Sequence, residues 1–144
     1  MVHRIACVGL GGYAANYIRA AQRLRDEGRA EIVAVAEVHL DRFGDLLAEL
    51  TARGTRVYTS FDDLLAAERD IDLVTIGTGV HLHCPMALQA LARGAHVLTA
   101  KPSTTLIQNV DRMAEAARGL GRPDAAGAVA DLLEVHLGGR GGVR

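Results

Sequence analysis

Residues 8 to 16 read VGLGGYAAN, a glycine-rich stretch between an apolar run and a segment with helical periodicity. Gly9, Gly11 and Ala14 satisfy the pattern G-x-G-x-x-G/A, which marks a dinucleotide-binding turn when a strand precedes it and a helix follows. There the first glycine permits the tight turn, the second lets the backbone approach a pyrophosphate, and the alanine keeps the helix close to the sheet. Glycines also occur in plain tight turns, so the prediction depends on what surrounds the stretch.

The apolar runs around the glycine stretch are short, do not alternate, and are bounded by glycine or charged residues. Strands buried on both faces of a parallel sheet have this pattern. The runs cover residues 4–10, 31–37, 72–78 and 96–100, with a weaker one at 56–59. Helical stripes separate the runs, so strands and helices are expected to alternate. This order predicts a single α/β domain with a doubly wound, parallel, Rossmann-like sheet and right-handed crossovers.

Apolar residues at a spacing of three and four predict the helices. The clearest stripes consist of Ala14, Ile18, Ala21 and Leu24; of Phe43, Leu46, Leu47 and Leu50; and of Leu106, Val110, Met113, Ala114 and Ala117. Helix ends are expected at two capping boxes, at a proline in a first turn and at two glycines after a last turn. These residues are Ser60 with Asp63, Thr105 with Gln108, Pro85, Gly94 and Gly119.

Glu37 ends the second apolar run, where this fold places a carboxylate that accepts hydrogen bonds from the ribose of a bound dinucleotide. Its alternative role is that of a solvated charge at a strand end, and the glycine pattern upstream favours the cofactor role. A carboxylate at this position would repel a 2′-phosphate, so we expect NAD in preference to NADP. Arg42 could reach such a phosphate and keeps NADP open.

Composition narrows the classes of function. The chain has 144 residues and a formal net charge of −1, so it offers no strong basic field to nucleic acid or to anionic lipid. Two cysteines without metal-ligand spacing suit a reducing cytosol. Neither a signal peptide nor a membrane span is recognisable, so we expect a cytoplasmic protein. His81 and His83 form an H-x-H pair that lacks a third ligand of suitable spacing, so no metal site is expected.

Four segments together resemble the glucose-fructose oxidoreductase and inositol dehydrogenase family (Gfo/Idh/MocA), which are NAD(P)-dependent sugar oxidoreductases. They are the glycine turn at 9–14, AVAEVHLDR at 34–42, VYTSFDDLL at 57–65 and HLHCPMALQALARGAHVLTAKP at 81–102. The last segment is the most specific, because in the family a strand ending in Glu-Lys-Pro follows a helix introduced by His-x-His. The resemblance covers roughly residues 3 to 120.

The resemblance implies a catalytic role for Lys101, which would contact the substrate hydroxyl and the nicotinamide ribose and support proton transfer during hydride transfer. Pro102 would shape the turn, commonly through a cis peptide bond. The implied cofactor is NAD and the implied substrate is a polyol or a sugar, with a homo-oligomer left open. The residues expected at the cofactor are Gly9, Gly11, Gly12, Tyr13, Ala14, Glu37, Thr78, His83, Lys101 and Pro102.

Three departures from the family pattern bear on catalysis. Ala100 stands where the family has glutamate, and Thr78-Gly79 stands where it has Thr-Pro followed by Asn. The family's second domain, which supplies most of the sugar pocket, is not recognisable. We assign residues 1–121 to the dinucleotide-binding domain and residues 122–144 to a tail with a short helical stripe. The expected function is that of the NAD(P)-binding domain of a sugar-type oxidoreductase; the alternative is a nucleotide-binding or partner-binding module without turnover.

Overall fold

The computed structural model describes residues 1–119, so the tail expected at 122–144 lies outside the described residues. In this range five strands alternate with five α-helices. The strands are β1 (His3–Val8), β2 (Ala30–Ala36), β3 (Arg56–Tyr58), β4 (Leu73–Ile76) and β5 (His96–Thr99). The helices are α1 (Ala14–Asp26), α2 (Gly44–Ala52), α3 (Phe61–Ala67), α4 (Val80–Ala92) and α5 (Ile107–Gly119). The expected order of elements is confirmed, with one additional 3-10 turn at Leu40–Arg42.

The five strands form one sheet in which every pair of neighbours is parallel, in the order β3-β2-β1-β4-β5. From the central β1 the chain first builds outward through β2 and β3, and then returns to add β4 and β5 on the other side. The winding therefore reverses between β1 and β4, and a crevice opens at the carboxyl ends of these two strands. The doubly wound, Rossmann-like fold is confirmed, and this crevice is where a ligand can enter.

Both faces of the sheet are buried, which explains why the strand sequences are apolar without alternation. In β1, Ala6 and Val8 belong to the core formed with α3 and α4, whereas Ile5 and Cys7 belong to the core formed with α1 and α2. All four residues are at most 3% exposed. Because successive side chains of a strand point to opposite faces, one short strand contributes to two cores.

A buried carboxylate ties β3 to the end of α3. Glu68 is only 5% exposed, accepts hydrogen bonds from the Arg56 guanidinium, and also accepts one from the Tyr58 hydroxyl at 2.6 Å. The hydrogen bonds from Arg56 hold the pKa of Glu68 below its usual range, against the opposing effect of burial. A charged group is buried at tolerable cost only when it is paired in this way, so the cluster stabilises β3.

Two of the expected helix ends are confirmed. Ser60 precedes α3, and its hydroxyl oxygen accepts the backbone N–H of Asp63 at 3.0 Å, which satisfies one of the unpaired donors of the first turn. Gly94 follows α4 with a φ of +81°, the left-handed conformation that commonly ends a helix.

Three other expectations about helix ends are wrong. Pro85 lies inside α4 and not in its first turn, so its missing N–H removes one hydrogen bond of the helix. The capping box of Thr105 with Gln108 does not form, since α5 begins at Ile107 and it is the Thr104 hydroxyl that accepts a backbone N–H just ahead of the helix. Gly119 is itself helical, within α5.

Within residues 1–119, no helix combines the length and the apolar character that crossing a membrane requires.

Candidate dinucleotide-binding site

The turn between β1 and α1 requires glycine for two physical reasons. Gly9 has a φ of +83°, which an L-residue with a side chain adopts only with strain. A Cβ atom at Gly9 would also lie 2.9 Å from the carbonyl oxygen of Gly77, closer than real Cβ contacts. Gly12 has a φ of +57° and open space on its side-chain side. The turn therefore leaves its backbone accessible at the carboxyl end of β1, where a pyrophosphate can approach.

The first turn of α1 lies directly against the end of β4. A Cβ atom at Gly77 would lie 2.4 Å from Cβ of Ala14 and 2.8 Å from its Cα. A small residue at 14 and glycine at 77 together allow the helix to start this close to the sheet, so the N-terminus of α1 lies at the crevice. Sequence reasoning identified Ala14 and missed Gly77, whose signal was a glycine directly after a buried strand at the switch point.

The carboxylate of Glu37 is held on both of its oxygens. Oε2 accepts the backbone N–H of Leu10 at 3.0 Å, and Oε1 accepts the backbone N–H of His39 at 2.9 Å. The first contact joins the end of β2 to the glycine turn, and the second shapes the loop that follows β2. Each carboxylate oxygen has a second lone pair, so the half-buried group can still accept hydrogen bonds from a ligand.

A cavity of about 350 Å³ opens over these two features. Its walls come from the ends of β1, β2 and β4 and from the starts of α2, α3 and α4, and include Gly9, Gly11, Glu37, Phe43, Thr78 and Leu82. The volume is in the range of small-molecule sites. Arg42 also lines the cavity, so a cation and the Glu37 carboxylate border the same space. The structure thus brings together five of the predicted site residues, counting Arg42.

Gly11 lies against the ring of Phe43 at the entrance of this cavity. A Cβ atom at Gly11 would lie 3.1 Å from Cζ of Phe43, a contact that the ring could relieve only by moving. A larger side chain at position 11 would therefore occupy space next to the turn.

His83 is the buried polar residue of the site. It belongs to α4, is only 2% exposed, and both of its ring nitrogens face backbone carbonyls. Nδ1 lies 3.0 Å from the carbonyl oxygen of Pro102, and Nε2 lies 2.9 Å from that of Thr78. The imidazole thus sits between the loops that follow β4 and β5, and it lies outside the lining of the cavity.

Lys101 and Pro102 follow β5 and are exposed. The peptide bond between them is cis, the form that the resemblance implied. Ala100 donates its backbone N–H to the carbonyl oxygen of Ile76 at 2.9 Å, so the lysine turn starts beside the end of β4. Neither Lys101 nor Pro102 lines the cavity around Glu37. Tyr13 is 56% exposed at the start of α1 and does not line it either.

Other reactive side chains of the described residues offer no second centre. Cys7 is fully buried, and burial raises the pKa of its thiol to about 11, so it is not a thiolate at neutral pH. Cys84 is buried under α5. Between residues 1 and 119, no group of three or more His, Cys, Asp or Glu side chains is arranged to hold a metal ion.

Residues 3–125 match the Gfo/Idh/MocA group, described as an oxidoreductase family with an NAD-binding Rossmann fold. The chain belongs to this family. Among curated relatives, it is 36% identical over 93 residues to an uncharacterized oxidoreductase of Rhizobium meliloti, covering 64% of this chain and 27% of the relative. It is 30% identical over 114 residues to a glycosyl hydrolase family 109 protein of Shewanella baltica, covering 74% of this chain and 24% of that protein.

Solved structures share the same fold. The WlbA dehydrogenase from Bordetella pertussis, solved with NADH and UDP-GlcNAcA, has a TM-score of 0.70 at 29% identity, covering 83% of this chain and 33% of that one. The myo-inositol 2-dehydrogenase from Lactobacillus plantarum has a TM-score of 0.69 at 26% identity, and the match covers 83% of this chain and 34% of that one. The chain spans about a quarter of the curated relatives it matches and about a third of these structures. It is the NAD-binding Rossmann domain of the family.

Proposed function

We propose that the chain is the NAD-holding part of an oxidoreductase that transfers a hydride between a substrate carbinol carbon and the nicotinamide ring, with a sugar or polyol as substrate. The observation that carries the proposal is the hydrogen bond from the Leu10 N–H to the Glu37 carboxylate, which joins the glycine turn to the ribose-binding position across one cavity. Family membership and the sugar-linked names of the relatives support the substrate class.

The chain's own residues bind and orient the dinucleotide. The pyrophosphate would lie over the turn from Gly9 to Gly12, where the N-terminus of α1 favours negative charge and backbone N–H groups of the turn can donate to its oxygens. The adenosine ribose would lie at Glu37, whose carboxylate is already oriented by two backbone donors and pays little entropy to accept the ribose hydroxyls. The same carboxylate would repel a 2′-phosphate, which favours NAD.

Lys101 would serve the reacting end. Bound NAD supplies the hydride acceptor. In the oxidising direction NAD would accept the hydride while the carbinol becomes a carbonyl, and Lys101 would pass the hydroxyl proton on to water. The exposure of Lys101 at the end of β5 leaves its side chain free to meet a substrate.

A second candidate function is a nucleotide-binding module without turnover. Ala100 favours it, because the position before the lysine carries no polar side chain and is buried. On this alternative NAD binds, and no alcohol is oxidised.

Two measurements separate these functions. Calorimetry with NAD should give binding for the wild type and a loss of at least about tenfold for Gly11→Val, whose side chain would occupy the space of the pyrophosphate and press on Phe43. An assay of NADH formation over a panel of polyols and sugars then tests turnover, which should depend on Lys101 for the oxidoreductase and be absent for the module. Equal NAD binding by both proteins would refute the cofactor site. Robust turnover that Lys101→Ala abolishes would refute the module without turnover.

A further inference from the structure

His83 combines deep burial with two backbone contacts that join separate loops. A buried imidazole is costly unless its nitrogens have hydrogen-bond partners. Both ring nitrogens of His83 face carbonyl oxygens, that of Thr78, which follows β4, and that of Pro102, which follows β5. A carbonyl only accepts, so a neutral ring donates to one of the two and an imidazolium donates to both. Both loops lie at the carboxyl ends of strands at the crevice, and the second contains Lys101.

The two contacts lie on opposite sides of a rigid ring, so they set the separation between the loops. A side chain on α4 provides this link, and α4 is itself fixed in the core by Ala87 and Ala90. The imidazole therefore holds two loops, which have little regular structure of their own, at fixed positions relative to α4. The ring itself does not line the cofactor cavity beside Glu37; of its two backbone partners, Thr78 lines that cavity and Pro102 does not.

We infer that His83 is a positioning residue: it holds the backbone at Thr78 and at Pro102 so that Lys101 keeps its place at the nicotinamide end of the crevice. This assignment rests on the proposed function and differs from the expectation that His83 contacts the cofactor, since both of its ring nitrogens face the protein backbone. It predicts a selective effect, in which binding of the nicotinamide end of NAD is weakened more than binding of the adenosine end.

Three substitutions separate the two contacts. His83→Phe keeps a ring of similar size and removes both nitrogens. In His83→Asn the amide nitrogen can occupy the place of Nδ1, so this variant should keep the contact with Pro102. In His83→Gln the amide nitrogen can occupy the place of Nε2, so this variant should keep the contact with Thr78. Leu91→Ala is the control for stability, because it removes a buried side chain of α4 that contacts neither loop carbonyl.

The first experiment uses no ligand. Two-dimensional amide NMR spectra of the four variants are compared with that of the wild type. His83→Phe should shift the amide resonances of both loops, His83→Asn mainly those around Thr78, and His83→Gln mainly those around Lys101 and Ser103. Leu91→Ala should leave both loops unchanged. Equal shifts of both loops in Asn and Gln variants, or no loop shift in a folded Phe variant, would overturn the positioning role whether or not NAD binds.

The second experiment compares the affinity for NAD with that for ADP, which carries only the adenosine and pyrophosphate end. His83→Phe should bind NAD about tenfold more weakly, or about 1.4 kcal/mol, with a clearly smaller loss for ADP, and Asn or Gln should recover part of the loss. A parallel loss for both ligands that follows the loss of unfolding free energy, as in Leu91→Ala, would mean a purely structural role. A wild type that binds ADP and NAD equally would refute a nicotinamide contact in the proposed function, while the NMR result for His83 would still stand.

Discussion

Gly77→Ala tests whether the contact between β4 and α1 forms the dinucleotide site. The new Cβ atom would lie 2.4 Å from Cβ of Ala14, 2.8 Å from its Cα and 3.2 Å from its nitrogen. Carbon atoms in contact prefer a separation of about 3.5–4.0 Å, so the overlap exceeds about 1 Å. Two of the three overlapping atoms belong to the backbone of Ala14, so rotation of a side chain cannot relieve the overlap. The first turn of α1 must move away from the sheet.

The magnitude follows from this movement. Overpacking of a buried contact costs roughly 1–3 kcal/mol of unfolding free energy. A shift of about 1 Å also takes backbone N–H groups out of the 2.7–3.2 Å range in which they donate to phosphate oxygens, so NAD affinity should fall by at least about tenfold. Unfolding in urea measures the first effect, and calorimetry with NAD measures the second.

Gly44→Ala is the matched control. Gly44 is exposed at the start of α2, has no left-handed φ, and has no atom within 4 Å of the Cβ position. The same chemical change there should leave NAD affinity unchanged and should stabilise the fold by about 0.4–1 kcal/mol, because alanine restricts the unfolded chain. If Gly77→Ala is as stable as the wild type and binds NAD as tightly, the close packing of α1 on β4 has no role in the site and the reasoning fails.

Three further predictions concern single side chains. Glu37→Ser should weaken NAD binding by about 1.5–3 kcal/mol, on the order of tenfold or more, and should narrow the preference for NAD over NADP. Calorimetry with both cofactors measures the two affinities, and an unchanged preference would contradict the role of the carboxylate. Glu68→Gln should destabilise the fold by about 2 kcal/mol at neutral pH, because the variant loses the charge that Arg56 and Tyr58 stabilise. Since the pKa of Glu68 is lowered on folding, that contribution is present above about pH 4.3 and is lost as the pH falls through the folded value, so urea unfolding of the two proteins should converge in acid. Cys7, with its pKa of about 11, should react with a thiol reagent at pH 8 only after unfolding; rapid labelling of the folded chain would show that the β1 core opens.

The glycine turn and the sheet could be predicted because their causes are local. The strand sequences are apolar without alternation since both faces of a parallel sheet are covered, and a run such as 72–78 carries that information in its own residues. Gly9 is required by a backbone conformation within the turn itself. Glu37 could be placed at the crevice because a strand end following such a turn has a fixed position in this fold.

Helix boundaries were predicted less well, because several local signals compete and packing selects among them. Pro85 is compatible with a first turn, but α4 starts earlier, where the end of β4 delivers the chain to the sheet surface. Thr104 and Thr105 carry the same hydroxyl group, and only the path of the loop after β5 decides which one accepts a backbone N–H ahead of α5.

The sequence by itself determined the fold class, the switch point and the carboxylate at the second strand. Hydrophobic periodicity, the positions of the glycines and the order of strands and helices along the chain can all be read from neighbouring residues. Only the tertiary structure decided that Gly77 must lack a side chain and that His83 lies between two loop carbonyls. Ala14 and Gly77 are far apart in the chain, as are His83 and Pro102, and nothing near either member of a pair specifies its partner. Such contacts arise when the sheet brings the ends of β1, β4 and β5 to one edge, so they depend on the folded topology.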